Sequence, residues 1–405
     1  MRAWERFSEY VTIWTSSERN SGQDPSSLRQ FDLAHQLAFE LRSMGLEQVG
    51  VDNHCFVYGR LPASPGCEDA PCLGLLAHLD THPDCPGRDV RMQVIERYDG
   101  GDVPLGDSGL ILSPAEFPHL RRLAGQTLLT SAGDTLLGVD DKAGIAEILT
   151  ALELVIAGKR PHGPVSVAFM PDEEIGSGTA RFDIARFGAQ YAYTVDGWEA
   201  GEIETETFYA LQAKITIRGV NIHTGKAKGI MVNAQLAAIE LIQMLPPDEI
   251  PACTEGRQGF FHLLRSCGTV ESAELVYNLR DFEQAGMERR LKLLEQAVQA
   301  LNDRYGPNTA ALSVAEEYRN MGEILSRYPQ LIERACTACR LAGVEPQCTI
   351  ARGGTDGARL SFAGIPCPNL GIGGWAYHSP KEHITAEIMD RVSRVLEEVI
   401  YQFNE

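Results

Sequence analysis

Short apolar runs alternate with amphipathic stretches through the first half of this chain. The runs are CLGLLAH (72–78), TLLGV (135–139), VSVAFM (165–170) and YAYTV (191–195). Each predicts a strand, and strands this evenly apolar belong to sheets covered on both faces. Between the second and third runs, the spacing predicts a long helix over 143–156. Upstream, residues 1–60 predict a helix, a loop, a second helix and a short strand. The second helix covers 28–44, with Phe31, Ala34, Leu37, Ala38 and Leu41 on one face and Gly45 as its stop. Strand, helix and strand in this order predict an α/β sheet, mixed but mostly parallel, flanked by helices.

The rhythm changes near residue 208. ALQAKITIRG alternates apolar and polar positions as a half-buried strand does. VNAQLAAIELIQML predicts a helix, and SCGTVESAELVYNLRDF holds one or two strands. A helix over 285–304 follows, with Leu291, Leu294, Val298 and Leu301 on one side, and TAALSVAEEY closes the region as a strand. A small α+β domain of ferredoxin-like type, inserted into the larger one, fits this order. The expected division is 1–207, 208–322 and 323–405. The last part opens with a helix over 328–342.

Composition narrows the class. The chain has 405 residues, 44% hydrophobic and 22% charged, as globular proteins do. A formal net charge of −19 argues against nucleic acid or an anionic membrane as partner. The N-terminus lacks the apolar core of a signal peptide, and no stretch reaches the roughly 18 apolar residues of a membrane span. Ten cysteines in a chain of this length fit reduced thiols in a cytoplasmic protein. Cys336 and Cys339 form a CxxC inside the helix over 328–342. No second ligand pair follows at finger spacing, so zinc is not expected there.

The informative feature is where potential metal ligands fall. His78 ends the first run, Asp140 follows the second, Glu173 and Glu174 follow the third, and Asp196 follows the fourth. In α/β sheets the C-terminal strand edge is where ligands bind. Asp80 stands two residues after His78, on the same side of an extended chain, where it can take the imidazole's other N–H. Asp141 suits a helix cap, leaving Asp140 free to bridge two cations through its two oxygens. Adjacent glutamates can divide labour, one coordinating and one moving protons. His378 supplies a second imidazole from far along the chain, with His383 as its alternative; His82 and Asp84 are expected to be loop residues. Two divalent cations would be balanced by Asp140, Glu174, Asp196 and a bridging hydroxide. Mixed imidazole and carboxylate ligands suit zinc, and cobalt or manganese also fit.

At these residues the chain resembles the M20 metallopeptidase family. The motifs are AHLDTHPD (77–84), LLGVDDKAGIAEI (136–148), FMPDEEIGSG (169–178), YTVDGW (193–198), NIHTGKAKGIMVNA (221–234), RGGTDGARLSF (352–362) and GGWAYHSPKEH (373–383). The resemblance implies a dizinc catalytic domain with an inserted lid. His78 and Asp196 would hold one Zn2+, Glu174 and His378 the other, and Asp140 would bridge them. Asp80 would orient His78, and Glu173 would be general base and acid. His223 would stabilise the oxyanion, and Arg280 and Arg352 would meet the substrate's carboxylate. The branch it is closest to removes the N-terminal residue from tripeptides. Other M20 members are dipeptidases, carboxypeptidases or N-acyl-amino-acid deacylases, and a non-catalytic peptide-binding relative is the remaining alternative. A homodimer through the lid is compatible with this reading. Three positions depart from the family pattern: Thr224 replaces the usual proline, Ser379 a glycine, and His383 an aromatic residue.

Overall fold

The computed structural model of the protein describes residues 1–404. The chain forms two compact units. One comprises residues 1–205, 321–350 and 355 onward; the other comprises 206–320 and 351–354.

The first unit is built on an eight-stranded mixed sheet. Its spatial order is Glu47–Val51, Val57–Leu61, Val165–Met170, Leu73–His78, Tyr191–Gly197, Asn369–Gly371, Glu202–Glu206 and Gln347–Ile350. The four central strands, from Val165–Met170 to Asn369–Gly371, run parallel. Alternate residues of these strands enter different cores. Leu75, Ala77, Val167 and Phe169 join one cluster, while Leu76, Ala168 and Met170 join the other. Burial on both faces is why their sequences read as unbroken apolar runs. The helices Ala3–Tyr10, Val139–Gly158, Pro329–Leu341 and Ala386–Tyr401 pack together in the larger cluster.

The run TLLGV is not a strand. Gly138 takes a left-handed conformation at φ 88°, and the N–H groups of Leu137 and Gly138 point at the Glu382 carboxylate instead of a neighbouring strand. The strand of this region is Leu128–Ser131, the middle of a separate antiparallel three-stranded sheet with Met92–Ile95 and His383–Thr385. Residues 1–60 hold two strands rather than one, because Val57–Leu61 pairs with both Glu47–Val51 and Val165–Met170.

The second unit is an antiparallel four-stranded sheet. Its order is Phe260–Gly268, Ser272–Asp281, Tyr209–Arg218 and Ala310–Tyr318. The helices Ala234–Gln243 and Gln284–Tyr305 follow the first and third strands in the chain. This βαββαβ connectivity and strand order is ferredoxin-like. Ala213, Ile215 and Ile217 are buried against Leu241, Leu294, Val298 and Leu301, while Lys214, Thr216 and Arg218 face outward. One covered face explains why this region alternates where the first unit does not.

Candidate metal centre

The ligand-bearing segments meet where the parallel strands end. The strand Leu73–His78 stops at His78, which is buried. Its neighbour stops at Met170, and the chain turns through Asp172, at φ 61°, into a short turn carrying Glu173 and Glu174. Asp196 lies near the end of Tyr191–Gly197 on the other side. Asp140 opens the helix Val139–Gly158 but keeps an extended conformation, φ −82° and ψ 101°, that turns it out of the helical path. His378 sits in a left-handed turn, φ 59°, after the strand Asn369–Gly371.

Asp140 presents one oxygen to each imidazole. Its Oδ1 lies 2.8 Å from His78 Nε2 and its Oδ2 lies 2.9 Å from His378 Nε2. Asp196 Oδ1 stands 3.4 Å from His78 Nε2, and Glu174 Oε1 stands 3.1 Å from His378 Nε2. His78 Nδ1 is 2.9 Å from the Asp80 main-chain oxygen. A carbonyl only accepts, so in the neutral ring Nδ1 carries the hydrogen and the Nε2 lone pair faces the Asp140 carboxylate. Two acceptors at that distance require positive charge between them. No lysine or arginine forms an ion pair with Asp140, Glu174 or Asp196 among the described residues.

The acid–base properties express the same deficit. Burial would depress the His78 imidazole, yet Asp196, Asp140 and Asp80 together raise it well above its usual value. Burial also opposes protonation of His378, but Asp140 and Glu174 push it up to about 10. Glu174 is pushed up to about 8, chiefly by burial and then by Asp140, and Asp196 up to about 6, again chiefly by burial. Burial works to raise Asp140, but its contacts with His378 and His78 hold it well below the carboxylate range. Half-buried carboxylates gathered around one buried and one exposed imidazole, without a side-chain cation, fit a pair of divalent ions. His78, Asp140 and Glu174 offer ligand atoms within 4.8 Å of one another, and so do His82, Glu174 and His378.

A second layer of acceptors holds the segments in place. Asp141 accepts the His78 main-chain N–H at 2.9 Å; it does not cap the helix, as its sequence position suggested. Asp80 accepts the N–H groups of Glu173 and Glu174 at 3.0 and 3.2 Å. Its carboxylate is 3.4 Å from the His78 ring, so the ring's nearer acceptor is the Asp80 carbonyl. Asn369 accepts the Asp196 N–H at 3.2 Å and donates to Glu204 at 2.7 Å. Glu382 accepts the Asp140 N–H at 3.1 Å.

Three further residues of the first unit bear on these segments. His82 lies in a loop, as expected, and its ring stacks on His378, centroids 3.9 Å apart. His383, the alternative second imidazole, is fully buried, with Nε2 2.9 Å from His119 Nε2 and Nδ1 2.7 Å from the Lys381 carbonyl. Glu382 was missed altogether, and its only sequence signal is an acidic residue between two histidines of one motif.

His223, Arg280 and Arg352 belong to the second unit. His223 is exposed, and its Nδ1 accepts the Gly225 N–H at 3.2 Å. Arg280 pairs with Glu317 at 2.7 Å rather than with adjacent Asp281, which binds Arg290. Arg352 donates to the carbonyls of Thr254, Gly256 and Gln258 and to the Thr254 hydroxyl.

Comparison with known proteins identifies the family of the chain. The model of peptidase family M20/M25/M40 matches residues 132–402. A protein named Peptidase T from Caldanaerobacter subterraneus subsp. tengcongensis is 46% identical over 398 residues, covering 98% of this chain and 97% of its own. Peptidase T of Vibrio cholerae is 45% identical, covering 96% and 95%. The crystal structure of aminopeptidase PepT from Bacillus cereus superposes with a TM-score of 0.78 at 21% identity, over 100% of this chain and 98% of that one. A dinuclear metal-binding M20 peptidase from Bacillus subtilis superposes with a TM-score of 0.66 at 14% identity, over 99% and 97%. By sequence along nearly its whole length, the chain belongs to peptidase family M20/M25/M40.

Proposed function

We propose that this chain is an aminopeptidase of short peptides, tripeptides foremost, working with two zinc ions. The observation that carries the reading is the Asp140 carboxylate, shared between two imidazoles that are each joined by a further carboxylate. Likeness to proteins named Peptidase T supports the substrate class. His78 and Asp196 would hold one ion, Glu174 and His378 the other, with Asp140 common to both. When bound, the ions lower the pKa of a water and polarise a scissile carbonyl.

Glu173 is the proton carrier in this reading. Burial above all, then Asp196 and Asp356, raise its proton affinity well above that of an ordinary glutamate. A carboxylate so placed can take a proton from the attacking water and return it to the leaving amine. Asp80 fixes where Glu173 stands by holding the main-chain N–H groups of the glutamate pair. For His223 at the oxyanion, and for Arg280 and Arg352 at the substrate's carboxylate, the proposal rests on the family resemblance. An inserted lid made of residues 208–322, and a homodimer through it, belong to the same proposal. A cytoplasmic location accords with ten cysteines that are all free. No helix among the described residues is long and apolar enough to cross a membrane.

The test uses a tripeptide, its N-acetylated form and an N-acetyl amino acid. The assay is run on the native protein, on the chelated protein and after zinc is returned. Hydrolysis of the free tripeptide alone, lost on chelation and restored by zinc, is the expected result. Turnover of the acetylated substrates would move the chain to the deacylase side of the family. Inertness toward all three with zinc present would make it a non-catalytic relative.

A further inference from the structure

The Glu382 carboxylate, outside the candidate ligand set, is among the most constrained in the protein. It is buried. Oε2 accepts the N–H groups of Leu137 and Gly138 at 2.8 and 2.6 Å, and Oε1 accepts that of Asp140 at 3.1 Å. These donors lie on the turn that delivers Asp140, where Gly138 is left-handed and Asp140 is extended. Glu382 itself follows His378 by four residues, in the segment that delivers the second imidazole. One side chain therefore ties together the two segments whose ends, Asp140 Oδ2 and His378 Nε2, meet at 2.9 Å.

We propose that Glu382 is a positioning residue that sets where the Asp140 carboxylate stands between His78 and His378, and thereby sets metal affinity. The inference rests on the two-ion reading above. It follows from how the turn is built. The Gly138 carbonyl accepts a helical bond from the Lys142 N–H at 3.3 Å, but the N–H groups of Leu137, Gly138 and Asp140, at the start of the helix, have no helical hydrogen bonds of their own. Three main-chain donors converging on one carboxylate replace those bonds, with charge-assisted strength. Slackening this grip would let Asp140 drift relative to two imidazoles that are held separately, His78 by Asp141 and the Asp80 carbonyl. Outer partners that orient ligands commonly govern affinity by about 10–100-fold.

The experiment is metal binding by competition with a chromophoric chelator, on the full-length protein, for wild type, Glu382→Gln and Glu382→Asp. Glutamine keeps the size but turns an NH2 group toward at least one of the three donors. Aspartate keeps the charge and is one methylene too short to span Leu137 and Asp140. The expected result is zinc affinity weakened about 10–100-fold in Glu382→Gln and by less in Glu382→Asp. Tripeptide turnover should return when zinc is raised, but not when peptide is raised. Melting of the chelated proteins should differ little, which separates positioning from a plain folding defect. Glu387→Gln, whose carboxylate holds Thr127 away from these segments, is the control and should leave affinity unchanged. Wild-type affinity in both Glu382 variants would overturn the inference. If Glu382→Gln does not fold, Glu382→Asp decides alone by the same criterion. A wild type that binds no zinc pair would sink the two-ion reading itself, a result distinct from unchanged variants.

Discussion

At the scale of single residues, neighbouring side chains stand in different surroundings. Glu173 and Glu174 are adjacent, yet only Glu174 lies against an imidazole. Replacing Glu173 by alanine should leave both ions bound and reduce kcat by several orders of magnitude, since proton transfer is worth about 10²–10⁴-fold and the attacking water loses its base. Metal analysis beside steady-state kinetics checks both halves. Asp140→Ala should lose both ions, because both imidazoles face it; full occupancy in that variant would refute a shared carboxylate. A third prediction concerns His383, whose neutral ring is held at about 4, mainly by burial. A folded value below the unfolded 6.5 means that the unfolded chain binds the extra proton. Stability from this residue is thus complete above about 6.5 and is lost as pH falls toward 4, by roughly 3 kcal/mol. Urea titrations at several pH values should show a flatter acid limb for His383→Phe; an unchanged limb would remove this residue from the explanation. His78, Glu174, Asp196 and Asp140 could be singled out because each follows an apolar run. Asp141 and Glu382 act through main-chain donors of remote segments, which no local pattern encodes.

At the scale of elements, close backbone approach decides the geometry. Gly144 lies where the helix Val139–Gly158 touches the strand Tyr191–Gly197. An added Cβ would stand 2.2 Å from the Val195 carbonyl oxygen and 2.3 Å from Asp141 Oδ1. Gly144→Ala must push the helix from the strand, separating Asp140 and Asp141 from Asp196. The expected cost is roughly 1–3 kcal/mol, with weaker zinc binding, measured by denaturation and metal titration. Unaltered binding would show that the centre tolerates the shift. Helices of the second unit were legible within a residue or two. The predicted 285–304 is Gln284–Tyr305, because its apolar face repeats at helical spacing. The strand predicted at 135–139 failed for a physical reason: an apolar run signals burial, and here the buried run is a turn tied to Glu382. The strand Leu128–Ser131 is four residues long, too short to show a period.

At the scale of the molecule, a mixed α/β sheet could be expected because its central strands are apolar on both faces. The strand order could not, because it depends on pairings between remote segments such as Leu73–His78 with Val165–Met170. Ions bound only by the folded chain stabilise it by mass action. Chelation should therefore lower Tm, on the order of 10 °C for well-saturated sites, and zinc should restore it; calorimetry showing no shift would mean that the ions contribute nothing to the fold. The central claim, a pair of cations gathered around Asp140, is tested most directly by anomalous diffraction at the zinc edge from crystals of the zinc-loaded protein. The account predicts two peaks, one against His78 and Asp196, one against His378 and Glu174, both in contact with Asp140. A single peak, or peaks away from Asp140, would contradict it.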